Sequence, residues 1–391
     1  MSNDETVKTY LVTGGVGFIG TNFVKHLVGK YGDKVNIVVL DALTYAGNMA
    51  NIETELQRPG VSFVHGDIRD ESVVTAVMER HDPDYVVNFA AESHVDRSVT
   101  GPRVFVETNV LGTQVLLDAA RNAWRSADGG WRPGKRFLQI STDEVYGSLS
   151  RDYDSPRSID IPDDVRAVMT ARTDTPKAFG REFFTEETSL RPRSPYSASK
   201  AAADQLTAAY GHTYGMPVLV TRCSNNYGPW QFPEKLIPLM INNIVEGRAL
   251  PVYGKGLNVR DWLYVDDHCS AIDTVLRRGT PGQAYNVGGF NEQANIDIVN
   301  TIINAVARLT GTEPRTDLLT FVKDRPGHDM RYAIDPQNIV RQLGWYPAIP
   351  FDRGIEMTVR WNLENRQWIE NIVNGSYRNY YQQQYNTISP K

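Results

Sequence analysis

Three groups of residues in this 391-residue chain have types and spacings suited to chemistry. Tyr196 and Lys200 stand four apart in SPYSASK, where Ser194 or Ser197 with Pro195 marks a helix start, so their side chains share one helical face. An ammonium beside a phenol favours the phenolate, which suits Tyr196 as a base toward a hydroxyl proton. The string LQISTDEVYG closes an apolar run with Ser141, Thr142, Asp143 and Glu144, two of them adjacent carboxyl groups. Gly14, Gly17 and Gly20 follow another apolar run in TYLVTGGVGFIG. Glycine at that spacing lets the chain turn tightly and brings backbone N–H groups up to a pyrophosphate at a positive helix end. Each pattern alone has a bland counterpart: a surface pair, a polar strand exit, a structural turn. Their combination indicates redox chemistry on a bound dinucleotide.

The dinucleotide can be specified further. The next apolar run ends VVLD, placing Asp41 about 20 residues past the last glycine, where a carboxylate can bond both hydroxyls of an adenosine ribose. A 2′-phosphate would be repelled there, and the following ALTYAG holds no Arg or Lys, so the expected cofactor is NAD. Asp67, ending VHGD, is expected beside the adenine, and Ala90 and Ala91 in VVNFAAESH are small enough to admit the cofactor. Phe18, Ile19, Thr44 and Ile68 complete the expected contacts, together with Tyr196 and Lys200.

These groups need a scaffold that brings strand ends together. Lys8–Val12, Val35–Leu40, Val61–Val64, Tyr85–Phe89, Arg136–Ile140 and Val218–Thr221 read as short buried strands separated by amphipathic stretches. That alternation predicts an α/β fold: a Rossmann-like, doubly wound parallel sheet over residues 1–228, with residues 148–190 as an insertion on its rim. From about Pro229 the alternation stops. Helical segments at Pro233–Glu246, Val265–Leu276, Asn295–Leu309 and Phe351–Glu370, with a strand at Ala249–Tyr253, predict a smaller mixed lobe over 229–391, the chain crossing between the two. The net charge of −5 and pI near 5.9 give no reason to expect nucleic-acid or membrane binding. Two distant cysteines, a polar N-terminus and no run of 18 apolar residues fit a cytoplasmic protein without disulfides. His94 and His268 have no partners at ligand spacing, so no metal is expected.

The strings STDEVYG, AAESHVDRS, TRCSNNYGPWQFPEKLIP, LPVYGKGLNVRDWLYVDDH and DRPGHDMRY, in that order, resemble the dTDP-glucose 4,6-dehydratases of the extended short-chain dehydrogenase/reductase family. The resemblance runs over nearly the whole chain. It implies that Thr142 bonds the reacting hydroxyl while Tyr196 takes its proton and NAD accepts hydride from carbon 4 of the sugar. Glu144 as base and Asp143 as acid then expel water across carbons 5 and 6, and the hydride returns to carbon 6. An epimerase has no need of that acid–base pair. A nucleoside diphosphate needs cations on an acidic protein, and Lys235, Arg260 and Arg325 are the candidates. By resemblance they contact the diphosphate and nucleoside of dTDP-glucose with His328 and Tyr332; Pro251 and Tyr253 offer a face to the pyrimidine, and Ser93, Asn225 and Asn295 give neutral polar contacts. Helices at Arg103–Arg125 and Tyr196–Tyr210 resemble those of a family homodimer. The alternatives are a UDP-glucose 4,6-dehydratase, a nucleotide-sugar 4-epimerase or decarboxylase, and a non-catalytic NAD-binding protein. SNNYGPWQFPEKLIP favours dTDP, although a ring methyl is worth only about 1–3 kcal/mol, so some UDP-glucose turnover is expected. Trp230 and the 148–190 insertion have no physical account at this level.

Overall fold

The computed structural model describes residues 7–324 and 328–372. Seven strands form its central sheet: β1 (Lys8–Thr13), β2 (Val35–Asp41), β3 (Val61–His65), β4 (Tyr85–Asn88), β5 (Arg136–Thr142), β6 (Val218–Cys223) and β7 (Ala284–Val287). All pair in parallel, in the order β7-β6-β5-β4-β1-β2-β3. The strands are apolar runs because helices cover both faces. Helices Phe18–Tyr31 and Val265–Arg278 bury Phe23, Leu27, Ile272 and Leu276 on one face; Glu71–His81 and Thr113–Trp124 bury Val74, Val77, Leu116 and Trp124 on the other. Strand order reverses between β1 and β4, which opens a crevice at the carboxyl ends of the strands.

The seventh strand and the helix before it come from beyond residue 228. Residues 265–287 therefore lie with the sheet, and a single cut at 228 does not separate the layers. Two expected helices are also interrupted. The first runs as Pro102–Phe105, a π-helical segment Val106–Gly112, and Thr113–Trp124. The wider turn presents Asn109 to Glu92 (Nδ2 to carbonyl, 3.0 Å) and to Ser199 Oγ (2.8 Å). The second divides at Asn365 into Phe351–Glu364 and Arg366–Ile372.

Helices Leu236–Val245, Asn295–Thr310 and Phe351–Glu364 surround a second core of Ile237, Met240, Ile298, Ile302 and Val359. Strands Asn225–Tyr227, Val259–Tyr264 and Glu292–Ala294 form one small sheet beside it, and Leu250–Tyr253 pairs with Leu319–Val322. The 148–190 insertion is fixed to this side of the molecule. Its Ile161, Val165 and Met169 pack on Phe290 and Val340. Arg331, with no exposed surface, forms a two-pronged pair with Glu292 (2.7 and 2.8 Å) and donates to the Glu182 carbonyl at 2.9 Å. Among the described residues no helix is long and apolar enough to cross a membrane.

Candidate active site

A cleft of about 390 Å³ follows the carboxyl ends of β1 to β6, within the usual range for a small-molecule site. It is lined by Gly14, Gly17, Phe18, Ile19, Gly20, Asp41, Thr44, Asp67, Ile68, Ala90 and Ala91 on one side. Thr142, Asp143, Glu144, Tyr196 and Lys200 line its centre, and Ser93, Asn225 and Lys235 its far wall. The expected catalytic and cofactor residues thus share one cavity.

The glycine turn is a cradle that side chains would fill. Gly14 has φ +66°, and a Cβ there would lie 2.7 Å from the Ala90 nitrogen; one on Gly20 would lie 2.2 Å from the Gly14 carbonyl oxygen. Gly17 precedes helix Phe18–Tyr31 with no side chain capping it, so the first helical N–H groups face the cleft wall uncapped by side chains. Asp41, at the end of β2, accepts from Val16 N–H (3.2 Å) and Leu43 N–H (2.9 Å). Burial pushes its carboxyl upward and those two bonds oppose the shift. Asp67 is held by Arg69 through Nε (3.0 Å) and Nη2 (2.6 Å), which lowers its pKa. These features suit a dinucleotide pyrophosphate and ribose.

Thr142 is the last residue of β5, and its Oγ1 accepts from Glu144 N–H at 3.3 Å, starting the short turn Asp143–Tyr146. That turn folds Asp143 inward, to 1% exposure. Burial drives its carboxyl well above the usual range, the charges of Glu144 and Asp261 add to this, and Arg260 opposes it. These influences favour its neutral acid form over the carboxylate. Across from it, helix Pro195–Tyr214 starts with a reciprocal cap in which Ser194 and Ser197 each accept the other's backbone N–H at 3.0 Å. Tyr196 and Lys200 are both buried on that helix.

One expectation is corrected here: the net shift of the Tyr196 phenol is upward, not downward. Burial raises it well above its ordinary value, Glu144, Cys223 and Asp143 push the same way, and the Thr142 hydroxyl opposes them. Lys200 donates to the Ile140 carbonyl at 2.6 Å, and burial lowers its own pKa. The four-residue spacing puts both side chains on one helix, but desolvation dominates each of them, raising the phenol and lowering the ammonium.

The remaining substrate-side residues that the structure describes do not line this cavity. Arg260, 5% exposed, donates to the carbonyls of Val259 (2.7 Å) and Asp329 (3.0 Å) and stacks 4.1 Å from the Tyr332 ring. Tyr332 donates to Asp329 Oδ2 at 2.5 Å. His328 bonds Asp324 at 2.7 Å and meets Tyr253 edge to face at 6.2 Å. Pro251 is buried on the strand that carries Tyr253, and Asn295 starts helix Asn295–Thr310 with its N–H on the Asn258 carbonyl. Arg325 lies outside the described residues. Reading the sequence missed other residues of the wall. Tyr45, Arg69, Glu92, Phe232 and Glu234 line the cleft. Arg97 stacks on Tyr45 at 3.8 Å and reaches Glu234 at 3.4 Å, while His94 lies 3.5 Å from the same carboxylate. Only the neighbouring motifs hinted at them. His268 is fully buried, with Nδ1 2.9 Å from Asn226 Oδ1, and its pKa is pushed down to about 3 by burial, so it is neutral.

Known proteins are similar to this chain in sequence and fold. A dTDP-glucose 4,6-dehydratase of Escherichia coli K12 is 47% identical over 376 residues, covering 96% of this chain and 98% of that protein. The structure of a dTDP-glucose 4,6-dehydratase from Streptomyces venezuelae with NAD bound superposes with a TM-score of 0.78 at 42% identity, over 93% of this chain and 99% of that one. A Bacillus anthracis dTDP-glucose 4,6-dehydratase in complex with NAD gives 0.76 at 41% identity, over the same shares. Residues 10–288, from β1 through β7 and so including the glycine cradle, Thr142 and the Tyr196–Lys200 helix, match the model of one family. The chain belongs to the NAD dependent epimerase/dehydratase family.

Proposed function

We propose that the protein is an NAD-dependent dTDP-glucose 4,6-dehydratase, which converts dTDP-glucose to dTDP-4-keto-6-deoxyglucose with loss of water. The observation that carries this reading is Asp143: a buried carboxyl group whose acid form burial favours, next to Glu144 and in the same cleft as Thr142, Tyr196 and Lys200. Bound NAD supplies a hydride acceptor, a hydride donor later in the same turnover, and a positive charge that favours the phenolate. Tyr196 takes the proton of the carbon 4 hydroxyl, with the Thr142 hydroxyl fixing that oxygen. Once carbon 4 is a ketone the carbon 5 proton is acidic; Glu144 removes it while Asp143 protonates the departing carbon 6 hydroxyl. Asp41 holds the adenosine ribose, and the glycine cradle holds the pyrophosphate.

Lys235, Arg260 and Arg325 neutralise the sugar-nucleotide diphosphate, with Tyr253 against the pyrimidine and Ser93, Asn225 and Asn295 as polar contacts. Helices Pro102–Trp124 and Pro195–Tyr214 pair with those of a second copy in a homodimer, which accounts for the exposure of Val104, Val106 and Leu111. Cys223 and Cys269, both buried and unpaired, fit a cytoplasmic setting. The test is to incubate the purified protein with dTDP-glucose and no added NAD, following the alkaline absorbance of a 4-keto-6-deoxy sugar and the mass change for loss of water. Turnover without added cofactor is expected. No loss of water, with NAD supplied and UDP-, GDP- and CDP-glucose tried in turn, would overturn the reading.

A further inference from the structure

Three tryptophans distant in sequence meet beside the cleft without entering it. Trp230 packs edge to face on Trp361 at 5.0 Å and on Trp368 at 5.5 Å, and those two meet at 5.2 Å. Trp230 has φ +67°, a conformation few non-glycine residues hold without surrounding support. The Lys25 ammonium lies 4.9 Å from its ring, and the Pro229 carbonyl accepts from Asn22 at 2.9 Å, both from the helix that follows the glycine turn. Trp368 then reaches the turn through Asn51. Its Nε1 donates to Asn51 Oδ1 at 2.7 Å; Asn51, 2% exposed, donates to the Val16 carbonyl at 2.9 Å; and Val16 N–H donates to Asp41. From the same short helix, Arg366 donates to Asn242 Oδ1 (2.9 Å) and Glu246 (3.2 Å), tying it to helix Leu236–Val245, which starts directly after Lys235. Helix Arg366–Ile372 is thus linked through Asn51 to the glycine turn and directly to the helix that follows Lys235.

We propose that helix Arg366–Ile372 is a brace that pre-sets the glycine turn for its dinucleotide, with Trp368 as the positioning residue acting through Asn51 and Val16. The proposal rests on the NAD reading above. Removing the indole N–H leaves the Asn51 oxygen buried without that donor, so its amide is less firmly fixed, and the Val16 carbonyl, which also accepts from Asn48 N–H at 3.1 Å, is held less firmly by one of its two partners. A turn no longer held in its bound shape must be ordered by the ligand, and affinity falls. A defect confined to NAD affinity distinguishes this role from general packing.

The experiment titrates NAD into nucleotide-free full-length wild type, Trp368→Phe and Trp361→Phe. Trp361→Phe alters the same aromatic cluster without touching the bond to Asn51. Trp368→Phe is expected to raise the Kd for NAD roughly tenfold, the effect of one unsatisfied buried acceptor, with the loss falling on Kd rather than on kcat at saturating NAD. Trp361→Phe is expected to keep the wild-type Kd. Should Trp368→Phe not fold, Asn51→Ser breaks the same chain from the other side and carries the same expectation. Unchanged affinity in Trp368→Phe, or an equal loss in Trp361→Phe, overturns the brace. A wild type that binds no NAD overturns the cofactor reading instead, and the brace with it.

Discussion

Replacing Asp143 by Asn should separate catalysis from stability, because the same burial governs both. The amide keeps the shape and the contact with Thr142 but has no proton to give to the leaving hydroxyl. A general acid of this kind contributes roughly 10²–10⁴-fold, or about 3–5 kcal/mol of barrier. Oxidation at carbon 4 does not use Asp143, so Asp143→Asn should still reduce its NAD on mixing with dTDP-glucose, and the reduced nicotinamide should accumulate while the keto-sugar product does not. Stability should move the other way. The carboxyl has an ordinary value of 3.8 and is raised well above it in the fold. Between those two values the native state holds a proton that the unfolded chain has lost, so wild-type stability falls as pH rises through that window. Asparagine escapes this cost. Asp143→Asn should therefore melt higher than wild type at neutral pH, with the difference closing as pH falls toward about 3.8. Rapid-mixing absorbance, product assay and calorimetry read the three effects. Product formation within about twofold of wild type, or equal loss of the oxidation and elimination steps, would refute the assignment of Asp143 as the acid.

Three further outcomes are expected. Gly20→Ala places a methyl 2.2 Å from the Gly14 carbonyl oxygen, so the cradle must open; calorimetric titration should show NAD binding lost or weakened beyond detection while the far-UV spectrum stays native. Arg331→Met leaves Glu292 buried without its two-pronged partner, and urea unfolding should show a loss of about 3–5 kcal/mol, the usual result of breaking a buried pair. Asp273 links helix Phe18–Tyr31 to helix Val265–Arg278. Burial acts to raise its pKa, but bonds from His26, Lys30 and Tyr31 prevail and lower it. A depressed carboxylate stabilises above its unfolded value and loses that contribution as pH falls, so Asp273→Asn should lower Tm at neutral pH and the deficit should shrink in acid.

The cofactor half of the site was legible because its signals are local. Gly14 to Gly20, Asp41, Asp67 and Ala90 sit where a strand ends, and β2 and β4 announce themselves as apolar runs buried on both faces. Strand β7 escaped because AYNV is four residues long and follows a helix assigned to the other lobe; only its pairing with β6 across a long excursion reveals it. Glu234 and Arg97 escaped for a similar reason, since nothing in either segment states that the chain will bring them to 3.4 Å. Trp230 gained its account only from Trp361 and Trp368.

The reversed expectation for Tyr196 is more instructive. Spacing put Lys200 on its face, but spacing says nothing of how dry that face is or that the β5 turn aims two carboxyl groups at the phenol. Asp143 belongs to the same class: a polar residue at a strand exit would by local rules face water, and the chain buries it instead. Both residues depart from what local sequence favours, and both departures stand where the proposed proton transfers occur. Such departures are held in place only by the surrounding fold. The chemistry of this cleft is therefore set by burial, a property of the whole fold, acting on residue types that the sequence can name.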